Sequence, residues 1–316
     1  MVVWHRIFLT CFYLTISLVL WFNSPVLAAS YRDTKDIFNS GLDHVRQQNY
    51  QQALLDFTEV INLEDNLVGA AYSNRCLVNI QLQKYSAAKS DCTRAIDYDP
   101  DNLEAYLDLG LVYYRREEYD RAIAKYQYVI ERDRDNYRAY YNLGLVYFAL
   151  KDYQQAIKDY SLALKSPRST SSHQKALIYS DRGVSHLMLA NYDRGISDLN
   201  QAISLDSNNY SAYYNRGCIH NHQKNYVAAL DDFTQVIQLN QDFTQAYVNR
   251  ALLYYQLGKY NLAFNDINVA LKQYEQQGNS LSYQKVLALK KQFRQVIVDS
   301  QPNQFAYNVL GISYKL

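Results

Sequence analysis

Proline and glycine are scarce in this 316-residue chain, at 4 and 10 residues. An all-β sandwich needs a turn signal about every 8–12 residues, so that class is excluded. The same scarcity, with 48% hydrophobic residues, excludes disordered and collagen-like chains. Neither sign of charge prevails, with 32 Lys+Arg against 31 Asp+Glu. A general nucleic-acid binder needs a basic excess to neutralise phosphates, so no nucleic-acid partner is expected. There is no Gly-rich phosphate loop, nucleophile elbow or HExxH motif, so no catalytic residue, enzyme activity or cofactor is expected. Tryptophan is rare too, at 2 residues. What the chain has in excess is tyrosine, 32 residues against 11 Phe.

The N-terminus has its own pattern. A short positive start (MVVWHR) precedes a largely apolar run, Ile7 to Phe22, then Pro25 and small residues ending at Ala28 and Ala29. This layout predicts a signal peptide or N-terminal anchor over residues 1–28. The apolar core is short for a membrane span, which favours cleavage after Ala28 or Ala29. The alternative is a retained membrane tether through residues 7–22. Either reading predicts an exported chain, in a periplasm, on an extracytoplasmic membrane face or in an organelle lumen.

Beyond this segment the chain repeats. A tyrosine followed three places later by a small residue recurs at Tyr50, Tyr85, Tyr119, Tyr153, Tyr192, Tyr226 and Tyr260, in steps of 35, 34, 34, 39, 34 and 34. The register defines seven units: 34–67, 69–102, 103–136, 137–170, 176–209, 210–243 and 244–277. The fourth place is Ile37 or tyrosine (Tyr72, Tyr106, Tyr140, Tyr179, Tyr213, Tyr247). The eighth is small throughout: Gly41, Cys76, Gly110, Gly144, Gly183, Gly217 and Ala251. Places four, eight and eleven share one helical face, and places seventeen to twenty-eight supply a second. Each unit therefore reads as two helices that cannot bury their apolar faces alone, so the stack is the folding unit.

These columns resemble the tetratricopeptide repeat across residues 34–277. Tyr140, Leu143, Gly144, Tyr147, Ala156, Tyr160 and Ala163 give one full copy of the motif. The resemblance implies an all-α, right-handed α-solenoid of about seven 34-residue helix-turn-helix repeats, with first helices lining a concave groove. Only Pro100 keeps the proline that usually ends a unit. An insertion from Lys165 to Lys175, with Pro167 and a Ser/Thr cluster, predicts a loop or hinge after the fourth unit. An amphipathic stretch carrying Val286, Leu289, Phe293 and Val296 predicts a capping helix over 278–300, followed by a tail, 301–316.

Several columns carry candidate chemistry. The sixth place holds Asn39, Asn74, Asp108, Asn142, Asp181, Asn215 and Asn249. An asparagine amide offers a donor and an acceptor, so a run of them can hold the backbone of an extended peptide. The resemblance implies the same use. Neighbouring groove positions add Tyr114, Arg138, Tyr141, Phe148, Tyr214 and Tyr255, anchors for an aromatic or aliphatic ligand. Arg75, Arg182, Arg216 and Arg250 at the seventh place, with aspartates at the twenty-third, predict bidentate pairs that stitch helices together. His44, His186 and His220 occupy the eleventh place, where other units carry tyrosine, so they read as core-facing. Cys218 and His222 lie four apart, a two-ligand seed where zinc needs three or four, so no metal is expected. Cys76 and Cys92 fall at packing positions, which favours buried free thiols, although an exported chain permits a disulfide.

The function these residues predict is an exported scaffold or adaptor. It binds a protein or peptide segment in its groove and assists assembly of an envelope or membrane complex. The alternative is a membrane-tethered structural scaffold acting through self-association or its convex face.

Overall fold

The computed structural model describes residues 33–167 and 171–299. The N-terminal segment and the tail therefore lie outside the described residues, as does the side chain of Val296. Within them the chain is all-helical, with fifteen helices and no strand.

The helices pair in the predicted order. The first repeat is α1 (Thr34–Arg46) and α2 (Tyr50–Asn62), and the second is α3 (Val68–Gln81) and α4 (Tyr85–Tyr98). The third is α5 (Leu103–Arg115) and α6 (Tyr119–Arg132), and the fourth is α7 (Tyr137–Ala149) and α8 (Tyr153–Lys165). Then come α9 (Ser172–Met188) with α10 (Tyr192–Leu205), and α11 (Tyr210–His222) with α12 (Tyr226–Leu239). The seventh repeat is α13 (Thr244–Gln256) with α14 (Tyr260–Gln276), and a single helix, α15 (Ser280–Asp299), closes the series. The recurring tyrosine is the first residue of every second helix, and each of the seven is half-buried.

The turn between paired helices is the same in all seven repeats. The fifteenth residue (Gln48, Gln83, Glu117, Lys151, Ala190, Lys224, Gly258) takes a positive φ of 57–71°. The following amide bonds back to the eleventh residue's carbonyl, as in Asp152 N–H to Tyr147 and Asn225 N–H to His220. This left-handed turn satisfies carbonyls that a helix end leaves open.

The described residues form two compact units, divided between Val112 and Tyr113. In the first, Ile37, Phe57, Val60 and Val78 build the core of the opening repeats. Residues eight and twenty-four face each other within a repeat. A Cβ on Gly41 would stand 2.7 Å from the Phe57 ring, so only glycine lets the two helices close on the aromatic. In the second repeat the same two places are Cys76 and Cys92, with Cα atoms 5.3 Å apart, and they form a disulfide. The expectation of free thiols is thereby corrected. Two packing positions that face each other are also two positions that a disulfide can join.

In the second unit, Tyr160 fills the space over Gly144, and Phe233 that over Gly217. The insertion after the fourth repeat does not loosen the packing there. Ser171 and Gln174 form a reciprocal capping box, so α9 starts four residues before the expected boundary. It packs directly on α8. At the C-terminal end Val286, Leu289 and Phe293 of α15 are buried against Ala263, Ile267 and Leu271 of α14. This is the cap read from the amphipathic pattern. No described helix is long and apolar enough to cross a membrane.

Candidate functional site

The arginine and aspartate columns resolve first, because they settle which charges are left for a ligand. Arg75 donates from Nε and Nη2 to Asp91 at 2.9 and 2.7 Å. Arg182 makes the same pair with Asp198 at 2.8 and 2.6 Å, and Arg250 with Asp266 at 2.8 and 2.9 Å. Arg216 does so with Asp232. Two further contacts were not foreseen. Each Nη1 donates to the twenty-fifth residue of the preceding repeat: Thr58, Ser161, Asn200 and Thr234. Each guanidinium also lies 5.3–5.8 Å from the fourth-place tyrosine ring of its own helix, within cation–π range. One arginine thus ties three helices, and the fourth-place tyrosines are its platforms.

The eleventh-place histidines belong to the same layer. His44 Nδ1 lies 2.8 Å from Asp56, in a repeat that has Ser40 where others have arginine. His186 is buried and its pKa is lowered, first by that burial. Cys218 and His222 face different neighbours. Cys218 is buried beside Asn249, whereas His222 stacks on Tyr192 and meets its hydroxyl at 3.0 Å.

The sixth-place column does not behave as one ladder. In the first unit Asn39 is exposed, Asn74 donates back to Ala70 O at 2.9 Å, and Asp108 is buried. In the second unit Asn249 is buried and donates to the Tyr214 hydroxyl at 3.1 Å. Asp181 accepts the Tyr141 hydroxyl at 2.8 Å. Both bonds run from the fifth place of one repeat to the sixth place of the next. Asn142 and Asn215 are partly exposed, and each amide lies on the same face of its helix as these bridges.

The aromatic candidates also divide. Tyr114 and Phe148 are half-buried and pack on the tyrosine that starts the next helix, with centroids 6.1 and 5.3 Å apart. Tyr255 is covered: its ring stacks on Phe293 of α15, centroids 3.9 Å apart and planes 7° from parallel. Tyr214 lies edge-on to Phe243 at 4.9 Å. Arg138 is partly exposed, with partners of its own.

Tyr114, Tyr141, Tyr160 and Asp181 come together on this face, with Tyr141 and Tyr160 centroids 5.9 Å apart. Burial pushes the Asp181 carboxyl up to about 6, and the Tyr141 hydrogen bond offsets part of that rise. Burial raises the Tyr141, Tyr114 and Tyr160 hydroxyls as well, and the Asp181 charge adds to each.

Tetratricopeptide-repeat models match residues 78–133 and 107–172, 210–243 and 244–277, together just over half of the chain. A DnaJ homolog subfamily C member 7 homolog of Dictyostelium discoideum is 31% identical over 87 residues, 27% of this chain and 16% of that protein. The chain spans 7–25% of the length of the relatives it matches. A tetratricopeptide repeat protein from Parabacteroides merdae superposes with a TM-score of 0.61 at 18% identity, covering 81% of this chain and 98% of that one. YrrB, a repeat protein described as having an unusual peptide-binding site, superposes at 0.50 with 21% identity, covering 63% and 97%. At these identities the likeness is one of fold, an all-α solenoid.

Proposed function

We propose, for a chain that belongs to the tetratricopeptide-repeat family and is built as a protein-interaction scaffold, that the first-helix face of residues 113–299 holds an extended peptide segment. The observation that carries this reading is the division within the sixth-place column. Asn249 is consumed by an internal bond, while Asn142 and Asn215, on helices α7 and α11, keep part of their surface in solvent. An amide with both a donor and an acceptor can meet the alternating groups of an extended backbone. Exposed carbonyls and amides of a bound peptide need such partners.

The setting we propose is outside the cytoplasm, where the protein assists assembly of an envelope or membrane complex. Two features support export: the signal-like layout of residues 1–28 and the Cys76–Cys92 disulfide, a bond that persists in oxidising compartments. A second reading, a tethered scaffold acting through its second helices, draws support from their exposed apolar side chains. Leu55, Val227, Leu262 and Val269 all stand in solvent on α2, α12 and α14.

The test is retention of the full chain on an immobilised library of random pentapeptides. Asn142→Ala combined with Asn215→Ala is expected to lower retention about tenfold across all sequences, since two amide hydrogen bonds are each worth roughly 0.5–1.5 kcal/mol. Helical content and melting should not change. Equal retention by the double variant would remove the groove reading. N-terminal sequencing of the native protein separates the two settings: a start at Ala29 or Ser30 fits the soluble adaptor, and an intact N-terminus fits the tether.

A further inference from the structure

We infer that Asp181, Tyr114, Tyr141 and Tyr160 form a specificity pocket for a cationic side chain, lysine or arginine, of the bound peptide. The inference rests on the peptide-binding reading above and names what that site selects.

The first argument is charge. Asp181 is partly buried, and the partner of its carboxylate among the described residues is the neutral Tyr141 hydroxyl, which donates to Oδ2 at 2.8 Å. Among the described residues the basic groups of the surrounding elements act on other partners, Arg138 of α7 included, and none acts on the Asp181 carboxyl. Arg182, next in the chain, holds Asp198 bidentately and Ser161. Arg216 of α11 holds Asp232 and Asn200. Lys158 of α8 acts on Asp159, and Arg115 of α5 lies 6.0 Å from the Tyr114 ring centre. A partly buried carboxylate paired only with a neutral donor costs stability unless a cation completes it.

The second argument is independent of the first. The Tyr160 ring is fully buried over Gly144, yet its hydroxyl has no hydrogen-bond partner. It sits within electrostatic reach of Asp181, Tyr141 and Tyr114. Buried hydroxyls are nearly always bonded, so this one has unused capacity, and its oxygen can accept from a donor. An ammonium or guanidinium brings several donors on one head group. The Tyr141 and Tyr114 rings lie near Asp181 and keep part of their surface in solvent, which suits the charge and the methylene stem of a cationic side chain. One carboxylate among phenols is a poor metal site, because hard cations want several oxygen anions. It is a good site for an organic cation. An anionic side chain would meet Asp181 and be rejected.

The same pentapeptide library, screened with the full chain at pH 7.5, tests the assignment. Retained peptides are expected to be enriched at least fivefold in lysine or arginine over norleucine at one position. Asp181→Asn should abolish the enrichment while leaving peptides of other sequences bound. Enrichment in the unchanged protein should also fade between pH 7 and pH 5, as Asp181 protonates with its pKa near 6. Because Asn matches Asp in shape, loss of folding is not expected, and a melting curve checks this. Retention with no cation preference, or a preference that survives Asp181→Asn, overturns the pocket and leaves the groove standing. Retention of no peptide by either form overturns the groove and the pocket together.

Discussion

Repeats four and six use the same aspartate in opposite ways. In repeat six Asp232 is buried and clasped by Arg216 through two parallel hydrogen bonds. In repeat four Asp159 is equally buried, but the seventh place is Leu143, and among the described residues the carboxylate accepts a single side-chain hydrogen bond, from Gln155. Repeat six therefore joins its helices, and the repeat before it, with a charged rivet. Repeat four closes on Tyr160 packed over Gly144 and leaves its carboxylate underused. The lesson is that one register position can serve adhesion in one repeat and remain as residue of the pattern in the next. Repeat four also supplies Tyr141 and Tyr160 to the cluster around Asp181, itself a residue of repeat five.

Arg216→Leu turns repeat six into a copy of repeat four and gives the largest expected effect. It strands Asp232 in a buried site, at a cost of about 3–5 kcal/mol. Hydrogen exchange of the α11 and α12 amides should accelerate accordingly, while α15 is less affected. Adding Asp232→Asn should recover most of the loss. If Arg216→Leu alone leaves exchange unchanged, the rivet has no structural weight. Gly144→Leu is next. Even a Cβ there meets the buried Tyr160 ring, so overpacking should cost about 1–3 kcal/mol, read as a lower urea midpoint. An unchanged midpoint would mean that α7 and α8 are not as close as described.

The smallest effect concerns Asp159 itself. Burial holds its carboxyl above the ordinary value, offset in part by Gln155 and Lys158. The folded chain then binds that proton more tightly than the unfolded one does, so ionisation is destabilising. The favourable contribution is complete below the unfolded carboxyl value of about 4 and is lost as pH rises through the folded value. Asp159→Asn should therefore be slightly more stable than the native chain at pH 7, with the gain vanishing near pH 4. Asp232→Asn should do the reverse at neutral pH, because it unpairs Arg216. Identical pH profiles for the two substitutions would erase the contrast between the repeats.

Much of this was legible without coordinates, for a physical reason. A 34-residue period repeats each local environment, so columns of small residues, arginines and aspartates report helix faces directly. The Arg182–Asp198 type of pair followed from two columns that recur together. The bonds Tyr141 to Asp181 and Tyr214 to Asn249 did not. Each joins one pair of successive repeats and depends on how those hairpins are rotated, which no single repeat encodes. The same limit hid the covering of Tyr255 by Phe293, because α15 lies outside the period. The tyrosine excess was legible in part. Places four and seventeen absorb 13 of the 32, but the arginine platforms appear only when the guanidinium is in view. A column also misled: five amides and two aspartates at one place suggested one ladder, whereas neighbours decide which amides remain available.

The left-handed turn at the fifteenth place has a consequence for engineering. Six of its seven occupants are not glycine, and a side chain in that conformation costs roughly 1–2 kcal/mol. The cost is multiplied by the repeat number because the turn is copied with the repeat. A single rule, glycine at Gln48, Gln83, Glu117, Lys151, Ala190 and Lys224, would act on every hairpin without touching either face of the array. The stability of the whole can thus be adjusted in equal small increments, one hinge at a time, independently of what the protein binds.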